Sequence, residues 1–160
     1  MRMASLLLLV SLLAVVPAAA AGEDWPGRPQ SPAPHLAQQG PPPAWVETRT
    51  KASWMAYGSY CWSAPAAGRT RKVVCADMVA PQSRTDLRAI VVPQRGLVRI
   101  HLGFLPRSAH LTLFRGGSFK HDVLAPRRVM SWSAPAGGIA SLDLAAPAGA
   151  AAYLIKVRVR

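Results

Sequence analysis

Residues 153–160 read Tyr-Leu-Ile-Lys-Val-Arg-Val-Arg, with Tyr153, Ile155, Val157 and Val159 on one side of an extended chain and Lys156, Arg158 and Arg160 on the other. This period-two pattern belongs to a strand with one buried face and does not suit an amphipathic helix. Residues 97–104 repeat it, with Val98, Ile100, Leu102 and Phe104 facing one way and Arg99 and His101 the other. Runs at 53–62, 72–75, 88–92, 110–115, 127–132 and 139–144 have similar β-branched and aromatic character, with Gly or Pro between them. No long window combines a helical apolar period with caps, and the Ala-rich stretch 145–152 is interrupted by Pro147 and Gly149. Strands that bury one face need a second sheet to cover them. The expectation for residues 45–160 is therefore an all-β, two-sheet, immunoglobulin-like β-sandwich. Trp62-Ser63-Ala64-Pro65-Ala66 recurs as Trp132-Ser133-Ala134-Pro135-Ala136. The flanks differ, so the repeat reads as two similar strand exits rather than a duplication.

What precedes that domain is of a different kind. Met1-Arg2-Met3 is a short basic start, residues 4–16 are almost wholly apolar, Pro17 breaks the run, and Ala18 to Ala21 supply small residues for cleavage. The apolar run is shorter than the ~20 residues a spanning helix needs. Residues 1–21 therefore read as a secretory signal peptide, which leaves no transmembrane domain in the mature chain. An uncleaved signal acting as an anchor is the runner-up. Residues 22–44 hold seven prolines among Gln, Gly and Ser. Proline fixes φ and donates no hydrogen bond, so this stretch is expected to be a disordered, partly polyproline-II spacer.

Cys61 and Cys75 both lie in the exported part, where oxidising conditions let disulfides persist. The favoured reading is a structural disulfide closing a turn-rich loop. The competing ones are a free thiol pair and a redox site, and the usual C-x-x-C of a redox pair is absent. Tyr60 and Trp62 share one face of their strand, with Cys61 on the other.

The segment Gly58-Ser59-Tyr60-Cys61-Trp62, followed by Cys75-Ala76-Asp77 and then Pro81, resembles a G-S-Y-C/S-W…C-x-D signature of small secreted or lipid-anchored proteins of Gram-positive bacteria. The terminal Tyr-x-Ile-x-Val-x-Val strand resembles theirs too. The resemblance covers residues 57–81 and the last strand. It implies a β-sandwich outside a bacterial cell with the two cysteines joined, and it carries no activity. This chain departs from the lipid-anchored members in having no cysteine at the cleavage point.

Chemistry needs converging groups, and few are present. The side-chain carboxylates of residues 45–160 are Glu47, Asp77, Asp86, Asp122 and Asp143, with no D-x-D or E-x-x-E pair, and no G-x-S-x-G or H-E-x-x-H occurs. No catalytic residue and no cofactor are therefore assigned. If residues 105–108 turn a hairpin, His101 and His110 become diagonal neighbours that a metal can bridge, with His121 or Asp122 as third ligand. The ordinary reading of the same residues is a solvated hairpin face. Tyr57, Tyr60 and Trp62 are either core or an aromatic platform for sugar rings, and core is the commoner use.

Charge is the remaining signal: 19 Lys and Arg stand against 7 Asp and Glu, a formal net charge of +12. Arg127, Arg128, Lys156, Arg158 and Arg160 are the candidate anion-binding residues. A domain this basic attracts polyanions, which outside such a cell means an anionic cell-wall polymer, lipid head groups or DNA. No base-reading motif is present, so specific nucleic-acid recognition is not expected. The first functional reading is a secreted, non-catalytic, cell-envelope-associated binding or structural domain. The alternatives are an accessory hydrolase or metal-binding protein using the histidines, and an inhibitor of another extracellular protein that presents residues 93–96 or 115–118.

Overall fold

The computed structural model describes residues 25–34, 40–64 and 71–160. Its strands in chain order are β1 Trp45–Glu47, β2 Ala52–Trp54, β3 Ala56–Ala64, β4 Lys72–Ala76, β5 Ala89–Val92, β6 Leu97–His101, β7 Ser108–Arg115, β8 Ser118–Leu124, β9 Val129–Ser133, β10 Gly138–Ala146 and β11 Gly149–Val159. They form a small sheet, β2-β1-β6-β9, and a large one, β4-β3-β11-β10-β7-β8. β5 lies parallel to the C-terminal half of β11, beside the antiparallel β3 that pairs its first half. Residues 1–21, expected from the sequence to be a signal peptide, fall outside the described residues. Among the described residues no helix is long and apolar enough to cross a membrane.

The alternation seen in the sequence is the packing. Val98 and Ile100 of β6, Leu111 and Leu113 of β7, Leu142 and Leu144 of β10, and Tyr153, Ile155 and Val157 of β11 are all buried in one core. Burying each such side chain contributes about 1.5–3 kcal/mol, which is the main favourable term for two sheets that cover one another. Trp62 in the large sheet and Trp132 in the small one are both buried. The repeated Trp-Ser-Ala-Pro-Ala thus marks one strand exit from each sheet.

Two connections differ from the sequence reading. Residues 53–62 are two strands, because the chain changes sheets at Met55, which is buried and donates its amide to the Ala44 carbonyl at 3.0 Å. β6 and β7 do not form a hairpin, since β6 pairs with β1 and β9 while β7 pairs with β10 and β8. The link between them is tied to both sheets: the Leu102 amide bonds the Arg128 carbonyl at 2.8 Å, and the Arg107 amide bonds the Ala145 carbonyl at 2.7 Å. Each strand has an apolar face needing cover, and crossing the sandwich lets the two faces cover each other.

The Cys61–Cys75 disulfide is formed. The two residues oppose one another directly in the β3–β4 ladder, and both are exposed on the outer side of the large sheet. In immunoglobulin domains the bridge spans the two sheets beneath a tryptophan; here it staples neighbouring strands of one sheet, with Trp62 on the opposite face.

The described part of the Pro-rich stretch lies against the sandwich. Proline has no amide donor, but its carbonyl still accepts, and the domain supplies side-chain donors. Trp54 Nε1 donates to the Ser31 carbonyl at 2.7 Å, the Tyr57 hydroxyl to that of Pro41 at 3.1 Å, and the Tyr153 hydroxyl to that of Pro42 at 2.6 Å. Trp25 lies within cation–π range of Arg49 and Arg99, and Arg28 lies over the Trp54 ring. Residues 25–34 thus form a strap across the outer face of the small sheet.

A second crossing piece, residues 77–88, includes a 3-10 turn at Pro81–Ser83. Arg84 anchors it, donating to the Tyr57 carbonyl at 3.1 Å and, through two nitrogens, to Asp86 at 2.6 and 2.7 Å. That pairing holds the Asp86 carboxyl below its ordinary range. A carboxyl depressed in the folded state adds stability above its unfolded pKa of about 3.9 and loses it as pH falls through the folded value. Asp86→Asn should therefore flatten the acid limb of a stability–pH curve below about pH 4, as read by urea midpoints.

Candidate functional site

The outer face of the large sheet carries the densest exposed chemistry. Register aligns its side chains in rows across the strands. One row runs Phe119, Phe114, Ile139, Lys156 and Ala89; the next runs His121, Thr112, Ser141 and Leu154; a third runs Val123, His110, Asp143 and Ala152. β7 and β8 meet through a Gly116-Gly117 loop whose φ values, 51° and 83°, suit the tight turn that keeps a hairpin's twist. Gly138 lets β10 approach, since a Cβ there would collide with the Phe114 carbonyl oxygen. The result is a groove of about 330 Å³ floored by Phe114 and Ile139, walled by Phe119 and Gln82, with Arg115 and Lys156 at its rim.

Beside the groove His110 and His121 stack, with Nδ1 of the first 3.3 Å from Nε2 of the second. Nδ1 of His121 is 3.2 Å from Thr112 Oγ1. Burial pushes the Asp143 carboxyl up, while a 3.4 Å bond from Ser141 Oγ and the two histidines pull the other way. Ser141 is buried and its hydroxyl points to Asp143, while the histidines bond each other and Thr112. Among the described residues no group of three or more His, Cys, Asp and Glu is placed to hold a metal ion.

Of the proposed histidine set, only His110 and His121 come together. His101 is in the other sheet, its Nε2 2.8 Å from Oε1 of the buried Glu47, whose Oε2 accepts the Gly27 amide of the strap at 3.1 Å. Its ring stacks on Trp45 at 3.6 Å, so His101 serves to partner a buried carboxylate. Asp122 faces the inner side of β8, where it accepts from Trp132 Nε1 at 3.1 Å. His101 is apart because β6 and β7 belong to different sheets, and Asp122 because it takes the opposite face of β8 from His121.

The aromatic set turns inward as well. Tyr57 and Trp62 are buried, the latter against Phe104, and Tyr60 packs at the edge of the core. A platform for sugar rings needs open ring faces, and the exposed ring among the described residues is Phe119, 73% exposed. The sequence reading passed over residues 118–124, because their alternation sets Phe119, His121 and Val123 against Lys120 and Asp122 without a purely apolar side.

The basic residues fall at opposite ends of the sandwich. Arg127 and Arg128 precede β9 beside the C-terminal end of β6. Lys156, Arg158 and Arg160 occupy the far end of β11 next to β5. There the Arg160 amide bonds the Val92 carbonyl, and the turn at 93–96 bonds Ala134. The backbone segments 93–96, 134–137 and 158–160 meet at this end, with Arg115 beside Gly137 and Val159, and Arg95, Arg115, Arg158 and Arg160 are all exposed there. Arg95, at φ 58°, is the non-glycine residue with positive φ among those described. Comparison with protein-family models, with curated proteins and with solved structures finds no match for this chain.

Proposed function

We propose that this chain is an exported, non-catalytic binding domain of a cell envelope, and that its basic surface holds anionic polymer. The observation that carries the reading is the disposition of charge. Four of the five described carboxylates have partners: Glu47 with His101, Asp86 with Arg84, Asp122 with Trp132 and Lys120, and Asp143 with Ser141. Arg95, Arg115, Lys156, Arg158 and Arg160 meanwhile stand exposed. A polyanion gains from neutralising exposed cations by releasing its own counterions, and the gain falls as salt rises. The export-type leader, the disulfide and the resemblance to small secreted Gram-positive proteins support an extracellular setting.

The reading puts the polymer at the end of the molecule where residues 93–96, 134–137 and 158–160 meet. Arg115→Glu, Arg158→Glu and Arg160→Glu together should weaken binding of poly(glycerol phosphate), the repeating chain of one class of wall polymer, by roughly 100-fold at low ionic strength. Arg127→Glu with Arg128→Glu should cost several-fold less. Equal effects from both ends would show a diffuse attraction without a site, and no effect from either would remove the reading.

A further inference from the structure

β8 is the outermost strand of the large sheet, pairing with β7 on one side and with no strand on the other among the described residues. Such an edge leaves backbone N–H and C=O groups open to any strand presented to it. Its outward side chains include the two most exposed large apolar residues described, Phe119 at 73% and Val123 at 72%. Neither has a role in the core, and only Phe119 borders the groove. On the inner side of the strand Lys120 and Asp122 lie 3.6 Å apart, with the Lys120 side chain 60% exposed.

These seven residues complement themselves. A two-fold axis perpendicular to the sheet keeps the inner and outer faces of two copies in common, so the symmetric antiparallel registers are centred on single residues near the middle of the strand. Centred on Lys120, two lysines oppose one another; centred on Asp122, two aspartates do. Both registers set like charges against each other. Centred on His121, Lys120 opposes the partner's Asp122 and Asp122 opposes the partner's Lys120, giving four alternating charges on the inner side. On the outer side Phe119 then meets the partner's Val123, and Val123 meets the partner's Phe119. This register avoids opposing Lys120 to Lys120 or Asp122 to Asp122 and joins the apolar pairs, with His121 facing His121 of the second copy at its centre.

We propose that the chain forms a symmetric dimer by antiparallel pairing of β8 with β8 of a second copy, centred on His121, so that the two large sheets become one. The Arg115 and Lys156 rims of the two grooves then lie on a common outer surface. The dimer rests on the edge strand alone and stands or falls separately from polyanion binding.

Sedimentation equilibrium over a concentration series tests this, at an ionic strength high enough to screen repulsion between two basic domains. The full chain should shift from monomer to twice that mass as concentration rises. Phe119→Glu alone and Val123→Lys alone should each weaken association at least about tenfold. Both sites are exposed, so the circular-dichroism spectrum and thermal midpoint should stay unchanged. Phe119→Glu combined with Val123→Lys sets each introduced carboxylate against the ammonium introduced in the other copy and should restore the dimer. A chain that stays monomeric throughout, single variants that dimerise like the parent, or a double variant that remains monomeric would each overturn the proposal.

Discussion

A chain lacking residues 22–44 should be less stable than one that retains them by about 4 kcal/mol. Three sandwich side chains, Trp54, Tyr57 and Tyr153, give their hydrogen bonds to carbonyls of that stretch, and each such bond is worth about 1 kcal/mol net. The packing of Trp25 and the fully buried Ala44 adds the remainder. Urea unfolding measures the difference, and equal midpoints would mean that the strap only rests on the domain.

The same loss has a spectroscopic signature. Burial, with Tyr60 nearby, pushes the Tyr57 phenol up to about 12, and burial pushes that of Tyr153 higher still. Raised phenols favour the folded chain below the unfolded value of about 10, and that stability disappears as pH climbs through the folded values. With the strap present, both tyrosines should ionise only as the protein unfolds in alkali. Without it, their absorbance titration should move back toward the ordinary tyrosine range.

Replacing Cys61 and Cys75 by serine together should remove up to about 3 kcal/mol, the chain-entropy value for closing a loop of roughly 15 residues. The loss should begin locally. Among the described residues β4 has β3 as its one neighbouring strand in the sheet and contributes no fully buried side chain. The staple and the ladder are thus what hold it. Hydrogen exchange at residues 72–76 should accelerate first, while amides of β10 and β11 keep most of their protection. Uniform acceleration across both sheets would contradict this placement.

Much of the sandwich is legible in the sequence because its strands alternate cleanly. Val98 with Ile100, and Tyr153 with Ile155 and Val157, announce one buried face each, and the structure buries them. What escapes notice is whatever lacks a contrast between faces. β8 has a charged pair inside and a histidine among its outward apolar residues, and β1 is three residues long. Pairing partners are also invisible at this level. Residues 101 and 110 look like neighbours if the chain doubles back, and they part company because it crosses to the other sheet instead. The Pro-rich stretch misleads for a simpler reason: missing donors forbid regular structure, yet carbonyls can still be held by Trp54, Tyr57 and Tyr153. The groove arises from a cross-strand row of residues far apart in sequence, Phe114, Phe119, Ile139 and Lys156, which no local pattern joins.

Poly(glycerol phosphate) titrated into the folded protein across a range of sodium chloride concentrations tests most directly whether a charged, chemically quiet surface is what this molecule uses. The account predicts binding at low salt whose logarithm falls linearly with the logarithm of salt concentration and vanishes near roughly half-molar, where the screening length is only a few ångströms. Affinity independent of salt, or no association even at the lowest ionic strength, would contradict it.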